Sequence, residues 1–240
     1  MNAVVIIPTY NERDNIPPLV DALLRHDGVR VLVVDDQSPD GTGAVADDVA
    51  RHHPGRVDVL HRTSKRGFGR SYIDGIKRAM AGGADLICQM DADFSHDPAR
   101  LPDLLAAAGH ADVVIGSRYV PGGAVVNWPR RRLLLSRFAN LYVRAVTHVQ
   151  ARDCTSGYRC WRRDALASLP LDQFVSDGYS FLVEMLFVAS RQGRRIAEVP
   201  ITYVERREGQ SKMSRAIILE SAITPWRLVA SPKTARPTAR

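Results

Sequence analysis

The chain has 240 residues, 33 Lys+Arg against 26 Asp+Glu and a formal net charge of +7, with 45% hydrophobic and 25% charged residues. That balance excludes a disordered chain, a collagen-like repeat and a disulfide-stapled miniprotein, and the length suffices to bury a substantial core. No uncharged apolar run reaches the roughly 18 residues that a membrane-spanning helix needs, and the N-terminal sequence lacks the pattern of a secretory signal.

Short apolar runs alternate with helical spacing through the first half. Strands are expected at 3–7, 30–34, 57–60, 85–90 and 112–115, and helices at 16–26, 42–53, 69–81 and 98–108. Asn15, followed by Ile16 and two prolines, marks a helix start. Such alternation predicts an α/β fold with a mostly parallel sheet flanked by helices, and places ligand contacts in the loops after strand C-termini. In the second half, Pro121-Gly122-Gly123 opens a long loop that runs through Trp128-Pro129 into Arg130-Arg131-Arg132. Helices are expected at 133–149 and 178–191, a Gly/Ser loop at 153–159 and a strand at 195–204. A last helix starts near Met213 and ends or kinks at Pro225. Residues 1–230 are read as one domain with C-terminal helical segments, and 231–240 as a disordered tail.

Three cysteines (Cys88, Cys154 and Cys160) at no metal-like spacing fit free thiols in a reducing cytoplasm. The basic excess is almost all arginine, since the only lysines are Lys65, Lys77, Lys212 and Lys233. Arginine's planar fork suits phosphate recognition, but composition leaves nucleic acid, anionic lipid and a phosphorylated metabolite all open.

Polar residues gather at the expected strand ends: Pro8-Thr9-Tyr10-Asn11-Glu12, Asp35-Asp36 through Thr42, Asp91-Ala92-Asp93-Phe94-Ser95-His96, and Gly116-Ser117-Arg118-Tyr119. One acidic turn can be a helix cap, as at Asp40 or Asp97. Two acidic clusters at one sheet edge call for a cation to relieve their repulsion. Two carboxylates spaced as Asp91 and Asp93 can address one hard cation whose remaining ligands come from water and a diphosphate.

These motifs, in this order, resemble the inverting nucleotide-sugar transferases of glycosyltransferase family 2, with the GT-A fold. Gly-Ser-Arg-Tyr, Gly-Gly-x-Val-x-Asn-Trp-Pro, Arg-x-x-x-Ser, Asp-x-Thr-Ser-Gly-Tyr-Arg and Arg-x-x-Gly-x-Ser-Lys narrow the resemblance to dolichol-phosphate and polyprenol-phosphate mannose synthases of the type without transmembrane helices. It runs from about Val4 to about Met213. The resemblance implies transfer of mannose from GDP-mannose to a polyprenyl phosphate, with UDP-glucose or another UDP-sugar as the alternative donor. It implies that Pro8, Tyr10, Glu12 and Asp36 hold the base and ribose. Asp91 and Asp93 would bind Mg²⁺ or Mn²⁺. Ser95 stands where some members carry Gln as a third ligand, and a hydroxyl is the poorer ligand, so direct coordination there stays open. Arg118, Arg132 and Ser136 match positions that grip the acceptor phosphate, Arg206 and Lys212 a loop closing on the diphosphate, and Asp153, Ser156 and Arg159 a sugar pocket.

Other residues keep two readings. The segment Lys65-Arg66-Gly67-Phe68-Gly69 after the third strand, with Lys65 as its nucleotide-side residue, either helps neutralise the diphosphate or is a simple helix cap. The three successive arginines are either a solvated loop or an acceptor contact, and the helix after them is either core or interfacial. Glu184 is a sugar contact or a buried pair partner; His96 is read as a turn residue and Met80, Met90 and Met185 as core. A nicotinamide-dependent Rossmann enzyme would show Gly-x-Gly-x-x-Gly after the first strand, where Pro8-Thr9-Tyr10-Asn11-Glu12 stands. A non-catalytic basic module for membrane or nucleic acid would leave the acidic strand ends unexplained. The expectation is a peripheral enzyme on the cytoplasmic face of a membrane, held by its arginines, its apolar helix surface or a partner membrane protein, with no nucleic-acid partner.

Overall fold

The computed structural model describes residues 2–174, 176, 178–205 and 215–231, leaving aside the side chains of 215–219. In chain order the first half runs β1 (Ala3–Thr9), α1 (Ile16–Leu24), β2 (Val29–Asp35), α2 (Thr42–His52), β3 (Val57–His61), α3 (Phe68–Ala81) and β4 (Leu86–Gln89). A 3₁₀ turn (Pro98–Arg100) leads into α4 (Leu101–Ala107), then β5 (Val113–Ser117), β6 (Ala124–Val126) and α5 (Arg130–Thr147). The remainder is β7 (Arg159–Arg162), α6 (Arg163–Ala167), a 3₁₀ turn (Leu171–Gln173), α7 (Gly178–Arg191), β8 (Ile196–Pro200), β9 (Thr202–Val204) and α8 (Arg215–Ala230).

The main sheet has the order β3-β2-β1-β4-β7-β5-β8 and is parallel except for β7, which runs antiparallel to both neighbours. Strand alternation divides the core into two layers. Val4, Ile6, Leu32, Val34 and Ile87 face Tyr72 and Ile76 of α3 and Phe181 and Met185 of α7. Ala3, Val5, Ile7, Val31, Val33 and Cys88 face Ile16, Leu19 and Leu23 of α1 and Leu101 and Leu104 of α4. The strand order reverses between β1 and β4, whose pairing ends at Ile6↔Gln89 while β1 continues to Thr9. That reversal opens a crevice at the strand C-termini, between the loop after β1 and the Asp91–Asp93 turn.

The second half departs from expectation in four places, each with a local cause. The 195–204 segment is two strands: β8 joins β5 in the main sheet, and β9 pairs with β6 in a separate ribbon. Buried Ile201 breaks the run, its backbone N–H donating to the Ser117 carbonyl at 3.0 Å. The central strand β7 arises from Arg-Cys-Trp-Arg, a sequence too short and too charged at its ends to read as a strand. The helix expected from 133 begins at Arg130, so the three arginines form its first turn rather than a loop. Finally, of the end or kink expected at Pro225 the end is excluded, since α8 continues through it to Ala230. Of the tail 231–240, all but Ser231 lies outside the described residues.

Gly75 fixes the distance of α3 from the sheet. A Cβ there would lie 2.7 Å from Ile6 Cγ2 and 3.1 Å from Val34 Cγ2. Gly75→Val is therefore expected to destabilise the protein by about 1–3 kcal/mol, read as a lowered midpoint in denaturant unfolding. An unchanged midpoint would mean that the helix is free to move away.

Candidate active site

The first two strand-end loops are knitted together by side-chain bonds. Asn11, at φ 62°, donates its N–H to Ser38 Oγ at 3.2 Å, and the Glu12 N–H donates to Thr42 Oγ1 at 3.0 Å. Glu12 Oε2 accepts from Asn15 Nδ2 at 2.8 Å, so Asn15 marks the start of α1 without capping it. Asp97 caps the 3₁₀ turn by accepting the Ala99 N–H at 2.9 Å, whereas Asp40, one residue before the Gly41 N-cap of α2, accepts the Thr42 N–H at 3.0 Å.

Buried Asp36 pairs with Arg62 Nη1 through one oxygen and accepts the Gly67 N–H at 2.9 Å through the other. Arg62 also donates to Asp74 Oδ2 at 2.8 Å, Ser64 Oγ at 2.9 Å and the Lys65 carbonyl at 3.1 Å. Asp36 thus fixes the loop before α3, and its carboxylate keeps acceptor capacity for a ligand. Lys65 itself is exposed. Its neighbour Arg66 is the residue that reaches the site, donating to the Tyr10 hydroxyl at 2.6 Å with its guanidinium 4.9 Å from the ring centroid. Arg66 belongs to the segment expected near the diphosphate, whereas Arg62 went unassigned in the sequence, where only its arginine chemistry could have marked it.

Asp91 and Asp93 follow β4 in a turn that places Phe94 at φ 57°. Asp93 Oδ1 accepts the Ser95 N–H at 3.1 Å, and the Asp91 N–H donates to His96 Nδ1 at 3.4 Å. His96 is more than a turn residue: it is buried, with ring centroids 5.2 Å from Tyr158 and 5.6 Å from Tyr203. Burial lowers its pKa to about 4, which leaves the imidazole neutral near pH 7. Burial first, and Asp91 beside it, push the Tyr72 hydroxyl well above its ordinary value, so it stays protonated.

The carboxylate pair fits a hard divalent cation. A Cβ at Gly157 would lie 3.4–3.5 Å from the Asp91 oxygens, so the missing side chain keeps one flank of that carboxylate open. Among the described residues no group of three or more His, Cys, Asp or Glu is arranged to hold a metal, so a cation here would take its further ligands from water or substrate.

A cavity of about 430 Å³ brings together Asp91, His96, Arg118, Arg132, Ser136 and Ser156. Leu135 and Phe138 of α5 and Pro225 of α8 line the same cavity. A cleft of about 510 Å³ lies at the opposite ends of the strands, around Arg30, Arg56 and Arg78. Its volume is greater but the chemistry is not there: Arg30 is bonded to Asn2 and the Gly82 carbonyl, Arg56 to the carbonyls of His26 and Val29, and Arg78 to Asp58.

Arg118, directly after β5, is buried and bound bidentately by Asp153, with Nε–Oδ2 and Nη2–Oδ1 both 2.7 Å. Its Nη2 also donates to Thr155 Oγ1 at 2.8 Å. Burial alone would raise Asp153, but Arg118 outweighs it and holds the carboxyl below its ordinary 3.8. Burial would likewise lower Arg118, and Asp153 reverses this. The Arg118 guanidinium carbon lies 5.2 Å from the Tyr119 ring centroid, 5.4 Å from Tyr203 and 5.8 Å from Trp128. Arg132 lies 4.0 Å over Trp128 and donates to Glu205 Oε1 at 2.6 Å. The Tyr119 hydroxyl donates to Ser136 Oγ at 2.7 Å.

The three residues expected in a sugar pocket are placed differently from one another. Asp153 is fully buried and spent on Arg118. Arg159 is fully buried, its three guanidinium nitrogens donating to the carbonyls of Ser156, Leu182 and Cys154 at 2.6–2.9 Å. With no carboxylate bound, burial lowers its pKa to about 10. Only Ser156 borders the cavity, and its hydroxyl donates to the Gly116 carbonyl at 2.6 Å. Glu184 is buried on α7 and accepts the Ser176 N–H at 3.1 Å. Buried Ser95 follows Asp93 in the same turn. Arg206 and Lys212 lie outside the described residues.

Comparison with known proteins accords with this geometry. The sequence profile described as glycosyl transferase family 2 matches residues 4–169. An undecaprenyl-phosphate mannosyltransferase of Micrococcus luteus is 49% identical over 236 residues, 96% of each chain. A polyprenol monophosphomannose synthase of Mycolicibacterium smegmatis is 49% identical over 221 residues, 91% of this chain and 83% of its own. Among solved structures, glucosyl-3-phosphoglycerate synthase from Mycobacterium tuberculosis, in complex with Mn²⁺, uridine diphosphate and phosphoglyceric acid, superposes with TM-score 0.73 at 18% identity. It covers 96% of this chain and 79% of that one, a likeness of fold.

The buried pair yields a pH signature. Asp153's folded pKa lies below its ordinary 3.8, so its stabilisation is present above about pH 4 and is lost as pH falls through the folded value. Asp153→Asn leaves Arg118 buried without a counter-charge, an expected loss of about 3–5 kcal/mol at pH 7. In denaturant titrations that gap to wild type should narrow below pH 4; a gap independent of pH would contradict the pairing.

Proposed function

The chain belongs to glycosyltransferase family 2, and on that premise we propose that it transfers mannose from GDP-mannose to the phosphate of a polyprenyl lipid, with inversion at the sugar carbon. One observation carries the reading: a single cavity is lined by Asp91, by Arg118, Arg132 and Ser136, and by apolar side chains of α5 and α8. An anionic donor held through a cation, an anionic acceptor head and a hydrocarbon tail need those three kinds of surface together. The two mannosyl-transferring relatives support the choice of sugar and of a phosphorylated lipid acceptor.

The division of labour follows from charge. A lipid phosphate, with a second pKa of about 6, already offers an anionic oxygen near neutral pH, so the attack needs no general base. It needs alignment, which Arg118 and Arg132 supply as cations and Ser136 as a hydroxyl partner. Asp91 and Asp93 would hold the divalent cation, Mg²⁺ or Mn²⁺, whose charge eases departure of the nucleoside diphosphate. The loop fixed by Asp36 and Arg62, with Tyr10 under Arg66, frames the nucleotide side of the crevice. Three arginines in the first turn of α5 oppose the helix macrodipole, a cost consistent with an anionic ligand at that end.

Asp91→Ala and Asp93→Ala are each expected to abolish transfer of radiolabelled mannose to polyprenyl phosphate while leaving the fold intact. Retained activity in either would overturn the metal-side assignment. Arg132→Ala should raise KM for the lipid more than for the nucleotide sugar; the reverse pattern would place Arg132 on the donor side.

The same face is proposed to meet the membrane from the cytoplasm. Leu134, Phe138 and Leu141 of α5 are 61–65% exposed, and Ile223, Trp226 and Val229 of α8 are 50–60% exposed. The helices are tied by the Tyr142 hydroxyl donating to the Ala222 carbonyl at 2.6 Å. Exposed Arg130, Arg131 and Arg137 lie on α5 beside this apolar surface, which suits an anionic interface. No helix among the described residues is long and apolar enough to cross a membrane. Flotation with anionic vesicles is expected for the wild type and not for the Leu134→Glu/Phe138→Glu variant; equal flotation of both would contradict this docking face.

A further inference from the structure

Between the end of α5 and the start of β7 the chain is an irregular loop, and Asp153 within it holds Arg118. Arg159 holds the loop through the carbonyls of Cys154 and Ser156, and the Arg118 N–H bonds Asp153 Oδ2 at 3.0 Å, while the backbone N–H groups around Asp153 are held by side chains from two flanking elements. Glu198 of β8 accepts the Arg152 N–H on Oε2 at 2.7 Å and the Asp153 N–H on Oε1 at 3.0 Å. From the other side, Asn140 of α5 accepts the Cys154 N–H at 2.7 Å and donates to Thr155 Oγ1 at 3.1 Å and the Ser136 carbonyl at 3.0 Å. Three successive backbone donors are thus pinned, two of them by one carboxylate.

Glu198 is well placed for this. It pairs in register with Ile115 of β5, the strand that ends at Ser117 just before Arg118. The sheet therefore sets both ends of the connection: Arg118 through its own strand, and the Arg118 partner through the neighbouring strand. Each of the two adjacent N–H groups is met by its own oxygen of the one side chain. A carboxylate offers both, whereas an amide of the same shape offers one acceptor and turns an N–H₂ donor on the other N–H.

We propose that Glu198 is a positioning residue for transfer, holding Arg118 in place for the acceptor phosphate by fixing the Arg152–Asp153 backbone. This rests on the acceptor-side role of Arg118 given above. Glu198 does not line the cavity that holds Asp91 and Arg118, so its effect should appear in acceptor affinity through Arg118 and leave the nucleotide side alone.

The test is equilibrium binding of a short-chain polyprenyl phosphate and, separately, of GDP-mannose with Mn²⁺, to wild type, Glu198→Gln and Glu198→Asp. Thermal unfolding and circular dichroism are recorded alongside. Glu198→Gln is expected to weaken lipid-phosphate binding about fivefold to tenfold, the scale of one lost hydrogen bond with a donor left facing a donor. GDP-mannose affinity should stay within about twofold. Glu198→Asp keeps two acceptor oxygens and is expected to lose less; it carries the comparison if the Gln variant folds poorly. Adding Glu198→Gln to Arg118→Lys should weaken lipid binding less than the product of the single effects, because both act through one guanidinium. Unchanged lipid binding in the folded variants, equal weakening for both ligands, or full multiplicativity with Arg118→Lys would overturn the proposal. A wild type that binds no polyprenyl phosphate would instead overturn the acceptor reading on which it rests.

Discussion

The buried ion pair between Arg118 and Asp153 is the constraint on which the acceptor side is built. Taking a guanidinium and a carboxylate out of water is costly, and the attraction repays that cost only with good geometry and satisfied remaining donors. Here the pair is bidentate at 2.7 Å, Thr155 takes a further donor, and three aromatic rings surround the guanidinium. The result is a fixed cation at the end of β5, in a cavity that also reaches Asp91 at the end of β4. The sheet makes the juxtaposition possible: β7 is wedged between β4 and β5, and the loop before it carries Asp153, Thr155 and Ser156.

From that point the site combines three chemistries in one cavity: the Asp91 carboxylate, the cations and hydroxyls of Arg118, Arg132, Ser136 and Ser156, and apolar side chains of α5 and α8. Arg159 supports it from below, exchanging hydration for three backbone carbonyls and locking the loop that faces Asp91 through Gly157. The α5–α8 surface extends the apolar lining outward. A sugar carried on a phosphorylated lipid could then be made with the lipid tail still near its bilayer.

Much of this was legible in the chain. Buried parallel strands are continuous apolar runs, so β1, β2 and β4 stood out, and the motifs at their ends carried Asp36, Asp91 and Asp93. The family resemblance placed Arg118, Arg132 and Ser136, which the cavity brings together. What stayed hidden depends on tertiary partners. A strand made of Arg-Cys-Trp-Arg is stable only because neighbours on both sides pair with it, and no local pattern shows that Arg159 gives its donors to carbonyls or that Asp153 faces Arg118. The question of whether α5 is core or interfacial also needed the structure: it buries Asn140, Val143 and Thr147 and exposes Leu134, Phe138 and Leu141. The split of 195–204 into two strands turns on the single residue Ile201, buried between two sheets.

The central claim is that this GT-A enzyme reads a phosphate at the head of a hydrocarbon chain. The most direct measurement incubates the wild-type protein with radiolabelled GDP-mannose and a divalent cation, offering in parallel polyprenyl phosphate and the corresponding unphosphorylated polyprenol. The account expects lipid-extractable mannose with the phosphate and none with the alcohol. Transfer to the alcohol at a comparable rate, or no transfer to the phosphate, would contradict it.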